Sequence, residues 1–243
     1  MKQTMKRCIY AALSAVFAIL LLFVIFVTSF EAVCYWMPGL YHHEFEKYQV
    51  LDTMKTWKGD EMSMEDLDKV MEQTMIYLRG DRENLIVETT INGEPAEFYN
   101  ANEKSHMADV RVLFVRCLTL RALAILTLLA IAALLIVLAH GQALRILGRG
   151  YLVTCAVILT LVIILGLLAM TDFTKYFTIF HEIFFSQGNW LFDPRESRMI
   201  DVMPEGFFYD IAARVFVVFL GAVAALLIPD VIVILRNRSK RRG

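Results

Sequence analysis

The sequence lacks the signatures of disulfide-bonded secreted proteins and of most soluble enzymes. Its four cysteines show neither a CxxC pair nor a disulfide pattern, and only Cys34 is expected to lie outside a helix. They are interpreted as small buried hydrophobic side chains. There is no HExxH zinc-protease motif, no GxSxG nucleophile elbow, and no P-loop or dinucleotide-binding fingerprint. Zincin hydrolysis is therefore unsupported, and the sequence predicts no cofactor.

Charge is absent from four long apolar segments apart from Asp230, which with Pro229 breaks the last of them near its end, and this pattern determines the class of protein. The chain is 58% hydrophobic and has a mean hydropathy of +0.55. Each segment approaches or exceeds the roughly 20 residues that a helix needs to cross a bilayer. The four segments are 8–30, 122–138, 150–171 and 215–235. The prediction is an all-α polytopic membrane protein with four transmembrane helices.

The first apolar segment has the basic leader of a secretory signal peptide but not its other features. It is longer than a typical signal-peptide core, and no small-x-small cleavage site follows it before Glu31. We therefore expect an uncleaved transmembrane helix.

Basic and acidic residues are distributed unequally between the connecting segments. Lysine and arginine are concentrated at the two termini and in the short 139–149 loop. Residues 31–110 hold 17 acidic against 7 basic residues, and residues 172–210 hold 7 against 3. By the positive-inside rule, both termini face the cytoplasm and the two acidic segments lie outside the cell membrane. The basic clusters reflect topology, so nucleic acid is not an expected partner.

The first outer segment is too long for a plain loop and is predicted to be a small α+β cap domain. Ser63 and Asp66 resemble a helix capping box, and Gly80 is expected to end the helix that follows.

A β-hairpin is predicted in the second half of this cap. Asn92-Gly93 is a strong turn signal between β-prone residues 85–91 and a return at 96–99, which Pro95 confines to an edge.

The second outer segment is rich in aromatic residues, with 11 in residues 172–210. Such density is typical of the headgroup boundary of a membrane. Residues 171–172 are expected to cap a short helix that Gly188 and Pro194 terminate. The prediction is a half-buried, partly re-entrant interfacial element, and the alternative is an interfacial helix that only anchors the loop.

The chain then divides into residues 1–30, 31–105, 106–171, 172–210 and 211–243.

Two histidines lie where an outer segment meets the membrane, and each has a carboxylate close in sequence. His106 is followed by Asp109, and His181 by Glu182. A histidine beside a carboxylate gains a fixed tautomer and a raised basicity, which suits general acid–base catalysis. The structural alternative is that each histidine only bonds its neighbours at a helix end.

The remaining histidines carry weaker signals. His42 and His43 are capable of binding a metal, but adjacent residues point to different sides, so solvated surface is the preferred interpretation and no metal site is predicted. His140 adjoins Gly141 at a helix end, where a dipole contact explains it.

A continuous helix is predicted from about Glu103 into the second spanning segment, with arginines on its outer third. Asp109 and Arg116 are seven residues apart and share a face, so an ion pair between them is one possibility. A role for Arg116 in stabilising an anionic intermediate is the other.

Three stretches resemble the lipoprotein intramolecular transacylase (Lit) family of Gram-positive bacteria. They are Glu103-Lys-Ser-His-Met-Ala-Asp-Val110, Phe180-His-Glu-Ile-Phe-Phe-Ser-Gln-Gly-Asn-Trp-Leu-Phe-Asp-Pro194 and Met203-Pro-Glu-Gly-Phe-Phe208. The four-helix plan and the two unequal outer segments also match, whereas residues 31–100 contribute little.

The resemblance implies a reaction on a diacylglyceryl lipoprotein in the membrane. The sn-2 acyl chain would move from the glycerol to the α-amine of the N-terminal cysteine, leaving a lyso-form lipoprotein. His106 and His181 match the paired histidines expected at such a site, which would lie on the outer face. The oxyanion of this reaction needs donors, for which Asn189, Trp190, Arg116 or backbone N–H groups are candidates. Asp109 and Glu182 complete the expected substrate-binding set.

Two other functions remain open from the residues alone. A non-catalytic membrane protein would bind a partner or a cation through its acidic cap, and a membrane hydrolase would use water in place of the amine. The acyl-transfer enzyme requires His106 and His181 to be close in space although they are 75 positions apart in sequence, whereas the binding protein makes no such demand.

Overall fold

The computed structural model describes residues 2–185 and 187–239, with side chains described as far as residue 228 apart from Lys2. The basic residues predicted to form the cytoplasmic C-terminal tail lie outside the described side chains. Within the described residues the chain forms nine helices and one two-stranded sheet. In chain order they are α1 (Lys2–Trp36), α2 (Leu40–Lys47), α3 (Val50–Lys58), α4 (Met64–Arg79), β1 (Glu88–Ile91), β2 (Glu94–Glu97), α5 (Ala101–Ala139), α6 (Ala143–Thr171), α7 (Phe173–Phe184), α8 (Met199–Val202) and α9 (Glu205–Ser239).

Four of these helices are long and apolar enough to cross a membrane, which confirms the predicted fold class. Over the described residues the candidate spans are Gln3–Trp36, Ala101–Ala139, Ala143–Thr171 and Glu205–Ile228. The helices extend beyond their apolar segments, because backbone hydrogen bonding continues where hydrophobicity ends. Cys34 is therefore inside α1, contrary to the expectation that it lies outside a helix.

Residue contacts divide the chain into two compact units, which we call the membrane unit and the outer unit. The membrane unit consists of residues 1–30, 119–171 and 215–243, and the outer unit of residues 31–118 and 172–214.

The membrane unit is held by apolar side chains and by close backbone approach. Leu22, Tyr151 and Phe219 belong to one buried cluster contributed by α1, α6 and α9. Gly150 of α6 lies against Ser14 of α1, so closely that a Cβ atom on the glycine would be 2.4 Å from the serine Cβ. Small residues allow such approach between membrane helices, where packing replaces the hydrophobic effect as the driving force.

The outer unit has its own buried core, built from α2, α3, α4, the hairpin and the residues that directly follow the hairpin. Its largest fully buried side chains include Phe45, Met54, Phe98 and Tyr99. Ser63 caps α4 as predicted, since its Oγ accepts a hydrogen bond from Asp66 N at 3.1 Å. The Asp66 carboxylate accepts from Ser63 Oγ rather than from the Ser63 backbone, so the capping box is not reciprocal. Gly80 ends α4 in the left-handed conformation, as predicted.

The hairpin forms around the predicted turn, with corrected strand limits. Asn92 and Gly93 both have positive φ, which suits the tight turns that join antiparallel strands. A two-residue turn pairs Ile91 directly with Glu94, so the return strand begins earlier than the predicted 96–99 and contains Pro95. The sheet has only two strands, so Pro95 lies on an edge strand, as predicted.

Candidate active site

The two histidines that the sequence indicated lie side by side in the outer unit. His106 is on α5 and His181 on α7, and both are buried, with 5% and 8% of their surface exposed. Their ring centroids are 5.9 Å apart and the ring planes differ by 26°. The fold thus brings together two imidazoles that are 75 residues apart in sequence.

Each histidine is carried by a helix whose start is fixed by side-chain capping. Asn100 and Glu103 form a reciprocal capping box at the start of α5: Asn100 Oδ1 accepts from Glu103 N at 2.9 Å, and Glu103 Oε2 from Asn100 N at 2.8 Å. Asp172 caps α7 by accepting from Lys175 N at 3.1 Å, as predicted for residues 171–172. Both imidazoles therefore project from helices with defined first turns.

A backbone carbonyl fixes the tautomer of His181. Its Nδ1 lies 2.8 Å from the carbonyl oxygen of Phe177, one turn earlier in α7. Because a carbonyl oxygen only accepts hydrogen bonds, Nδ1 must carry the proton. In the neutral ring Nε2 then has the free lone pair and is available to accept a proton.

The protonation state of His181 is governed mainly by burial. Burial lowers the pKa of His181 below its ordinary value, and the bond to the Phe177 carbonyl opposes this shift. The neutral imidazole is therefore favoured near pH 7, which is the form a general base requires.

The predicted pairing of His181 with Glu182 is wrong. Glu182 is exposed and makes no hydrogen bond or ion pair with the described residues. Consecutive residues of a helix point about 100° apart, so a buried His181 directs its neighbour toward the surface. The group that orients His181 is instead the Phe177 carbonyl, which no side-chain pattern could reveal.

The side chains of His106 and Asn189 interact, and each has a buried polar atom. The Nδ1 atom of His106 and the Oδ1 atom of Asn189 make no hydrogen bond of regular geometry within the described part of the chain. The Asn189 side chain is nevertheless within hydrogen-bonding reach of the His106 imidazole. Asn189 Nδ2 donates to Asp109 Oδ2 at 2.8 Å and to Ser105 Oγ at 3.3 Å. Buried polar atoms are usually paired, so these two are candidates to bind polar groups of a substrate.

Of the two alternatives for Arg116, the ion pair with Asp109 is not formed. The Asp109 carboxylate accepts from Asn189, whereas Arg116 is exposed and contacts no carboxylate of the described residues. Arg116 therefore does not join the histidines.

Aromatic rings surround the two imidazoles. Trp190, predicted as a site residue, lies 5.0 Å from His181 between ring centroids, and Phe177 lies 4.2 Å from it. Phe185 and Phe192 pack edge-on against His106 at 4.9 and 5.6 Å. The sequence predicts these phenylalanines only as interfacial residues, because aromatic density alone does not separate an exposed face from a site wall.

The other histidines are separate from this site. His42 is exposed, and its Nδ1 lies 2.7 Å from Asp68 Oδ2. Over the described residues there is no group of three or more histidine, cysteine or acidic side chains suited to a metal.

The two environments predict opposite titration shifts for two histidines of one molecule. The hydrogen bond and charge of Asp68 raise the pKa of His42, whereas burial lowers that of His181. In NMR spectra of the ¹³C-histidine-labelled protein, we expect His42 to titrate above, and His181 below, the ordinary value of about 6.5. Assignment uses His42→Gln and His181→Gln. Equal midpoints for the two residues would contradict the described burial of His181.

The fold and the site together define a polytopic membrane protein with a buried histidine pair suited to moving protons. The model of the Lit family, described as lipoprotein intramolecular transacylase, matches residues 15–208. The chain therefore belongs to the lipoprotein intramolecular transacylase family, whose members are membrane acyltransferases. The sequence-based alternative of a non-catalytic binding protein is set aside by this membership.

Solved structures of this family share the fold. The chain is similar to the membrane-integral lipoprotein intramolecular transacylase Lit from Bacillus cereus, with a TM-score of 0.71, 20% identity, and coverage of 95% of this chain and 98% of that one. A variant of that protein with a histidine replaced by alanine matches with a TM-score of 0.71 and 18% identity, covering 98% and 100% of the two chains. A variant with the histidine replaced by arginine matches with a TM-score of 0.72 and 18% identity, covering 98% of each chain. No curated protein matches the chain.

Proposed function

We propose that this protein moves the sn-2 acyl chain of a diacylglyceryl lipoprotein to the α-amine of the N-terminal cysteine, with His106 and His181 as general acid–base catalysts. The observation that carries the proposal is the buried pairing of these imidazoles at 5.9 Å in a member of this family. The substrate supplies its own nucleophile, so the chain needs no serine or cysteine for the attack.

The reaction balances with one proton released. The α-ammonium, whose pKa is about 8, first loses a proton to solvent and becomes a nucleophilic amine. Its nitrogen attacks the ester carbonyl, and an N–C bond forms while the C–O bond to glycerol breaks. The attacking nitrogen gives up a second proton, and the glycerol oxygen takes one up. The products are an amide and a free glycerol hydroxyl.

We assign one of these proton transfers to each histidine. His181 has Nε2 unprotonated, because its Nδ1 proton is committed to Phe177, so His181 is the base that deprotonates the amine. His106, which lies beside His181 and interacts with Asn189, is proposed to deliver the proton that the leaving glycerol oxygen takes up. Each such transfer is worth about 10²–10⁴ in rate.

Asn189 and Asp109 are proposed to orient the substrate. Asp109 binds Asn189 Nδ2, and the Asn189 side chain also interacts with His106, so Asn189 links the carboxylate of Asp109 to the imidazole beside which the substrate binds. Trp190 forms a wall of the site and is the side-chain candidate for supporting the oxyanion, together with backbone N–H groups. The exposed Arg116 and Glu182 are assigned no direct role.

The site is proposed to lie at the outer membrane face, with both termini in the cytoplasm. Ile183, Phe184 and Leu191 present exposed apolar surface, which suits contact with membrane lipid at the depth of the ester. The proposed partners are therefore a diacylglyceryl lipoprotein and membrane lipid, and nucleic acid is not one of them.

Mass spectrometry of one lipoprotein's N-terminal peptide tests this function in cells. The protein is expressed in a bacterial host that lacks other lipoprotein N-acylation. We expect one acyl chain on the α-amine and one on the glycerol, at unchanged total mass. Loss of one acyl chain would favour the hydrolase instead, and an unmodified diacyl N-terminus would contradict acyl transfer.

Replacing Asn189 by aspartate is expected to lower transacylation by about 10²-fold, similar to the loss of one positioned polar group at other active sites. The change removes the donor to Asp109 and places two carboxylates at 2.8 Å spacing. Initial rates on a diacylglyceryl lipopeptide measure the effect. The matched control is Asn84→Asp, because Asn84 is exposed and uses only Oδ1, which aspartate keeps. Equal rates for both variants would contradict the role of Asn189.

A further inference from the structure

A fully buried carboxylate near His106 makes more hydrogen bonds than helix capping requires. Glu103 has 0% of its surface exposed. Its Oε2 completes the capping box by accepting from Asn100 N at 2.8 Å. Its Oε1 accepts from Ser197 Oγ at 2.6 Å and from Met199 N at 2.8 Å. One oxygen thus starts the helix, and the other binds a segment more than ninety residues later in the chain.

The same later segment is bound to α5 at a second point. Asn189 donates to Asp109 Oδ2 at 2.8 Å. Glu103 and Asp109 lie three residues before and three residues after His106, so the three side chains fall within an arc of about 120° of the helix, with His106 in the middle. Residues 189–199 are therefore attached to this face on both sides of His106.

The residues between these attachment points contact the histidines directly. The Trp190 ring lies 5.0 Å from that of His181, and the Phe192 ring lies 5.6 Å from that of His106. No regular secondary structure runs through residues 189–198, so their placement depends on such anchoring bonds.

We propose that Glu103 is a positioning residue that holds residues 189–199 over the histidine pair during acyl transfer. This inference rests on the proposed function of the pair. Glu103 does not touch the reacting atoms. It sets the distance between the aromatic wall and the imidazoles, and a misplacement of about 1 Å at an active site costs about 10² in rate.

Glutamine is the informative replacement because it keeps the shape but not both acceptors. If the side-chain oxygen of the glutamine accepts from Asn100 N, its NH₂ group faces the Met199 N–H. Both groups are donors, so no hydrogen bond forms between them. The cap of α5 survives in this arrangement, whereas the bond from Met199 N is lost and the bond from Asn189 to Asp109 remains. A role confined to capping would therefore leave Glu103→Gln close to wild type.

The test combines kinetics with a spectroscopic probe in the full-length protein. We expect Glu103→Gln to lower kcat on a diacylglyceryl lipopeptide by about 10²-fold with little change in KM, since the bond supports the transition state. Ser197→Ala removes one of the three donors and should lower kcat about tenfold. The control is Glu65→Gln, because the Glu65 side chain is 80% exposed and, among the described residues, pairs with Lys69 alone.

The probe is ¹⁹F NMR of protein that contains 5-fluorotryptophan. Glu103→Gln should shift or broaden the Trp190 resonance, assigned with Trp190→Phe, while the resonance of the exposed Trp36 stays in place. An unchanged Trp190 resonance, or kcat within about twofold of wild type for both Glu103→Gln and Ser197→Ala, overturns the inference. A shifted Trp190 resonance in a protein whose wild type transfers no acyl chain supports the anchoring and overturns the proposed function instead.

Discussion

Replacing His181 by glutamine is expected to lower acyl transfer by about 10²–10⁴-fold. Glutamine has no group that accepts a proton near neutral pH, so the amine loses its base. The α7 cap at Asp172 and the aromatic neighbours of His181 remain available to hold the helix. Initial rates with purified protein and a diacylglyceryl lipopeptide measure the effect, and thermal unfolding confirms that the variant is folded.

His106→Gln is expected to show a loss of similar size. The His106/His181 double variant should be little slower than the worse single variant, because groups that act in one mechanism are not additive. The control is His42→Gln, since His42 is exposed and interacts with Asp68 and Glu46 rather than with the site. A rate within about threefold of wild type for either site variant would refute general acid–base catalysis by the pair.

Replacing Gly150 by alanine is expected to destabilise the membrane unit by about 1–3 kcal/mol, the usual cost of overpacking. The added Cβ would lie 2.4 Å from Cβ and Oγ of Ser14 and 3.0 Å from its backbone carbon. Backbone atoms of a packed helix cannot rotate away, so α1 and α6 must separate. Thermal unfolding in one detergent, followed by circular dichroism, measures the loss.

Two further variants make this prediction specific. Ser14→Gly removes the contacted side-chain atoms and should restore most of the stability lost in Gly150→Ala. Gly221→Ala, in α9, is the matched control. Apart from its chain neighbours and its own helix backbone, no atom of the described side chains or backbone lies within 4 Å of the added Cβ, and alanine is the better helix former. Equal destabilisation by Gly150→Ala and Gly221→Ala would contradict the described packing of α1 against α6.

The fold was predictable because its main determinant is composition. Four apolar segments of sufficient length leave few structures other than spanning helices. Local signals also sufficed in the outer unit: the Ser63 cap, the Gly80 helix end and the Asn92-Gly93 turn are confirmed. Strand limits were less predictable, since the pairing of Ile91 with Glu94 follows from turn geometry rather than from β propensity.

The site was only partly predictable, because its contacts depend on tertiary packing. Neighbours in sequence indicated Glu182 as the partner of His181, whereas the backbone of Phe177 fills that position. Helical periodicity indicated Arg116 as a partner of Asp109, but Asn189, 80 residues away, occupies that carboxylate. Glu103 gave no functional signal, since a glutamate in the first turn of a helix is common.

The most direct test of the account follows one acyl chain through the reaction. Purified protein is given a diacylglyceryl lipopeptide whose sn-2 chain alone carries deuterium, and tandem mass spectrometry locates the label. The account predicts deuterium on the α-amine at unchanged total mass with wild-type protein, and no transfer with His106→Gln or His181→Gln. Deuterium in free fatty acid, or transfer that persists in both variants, would contradict it.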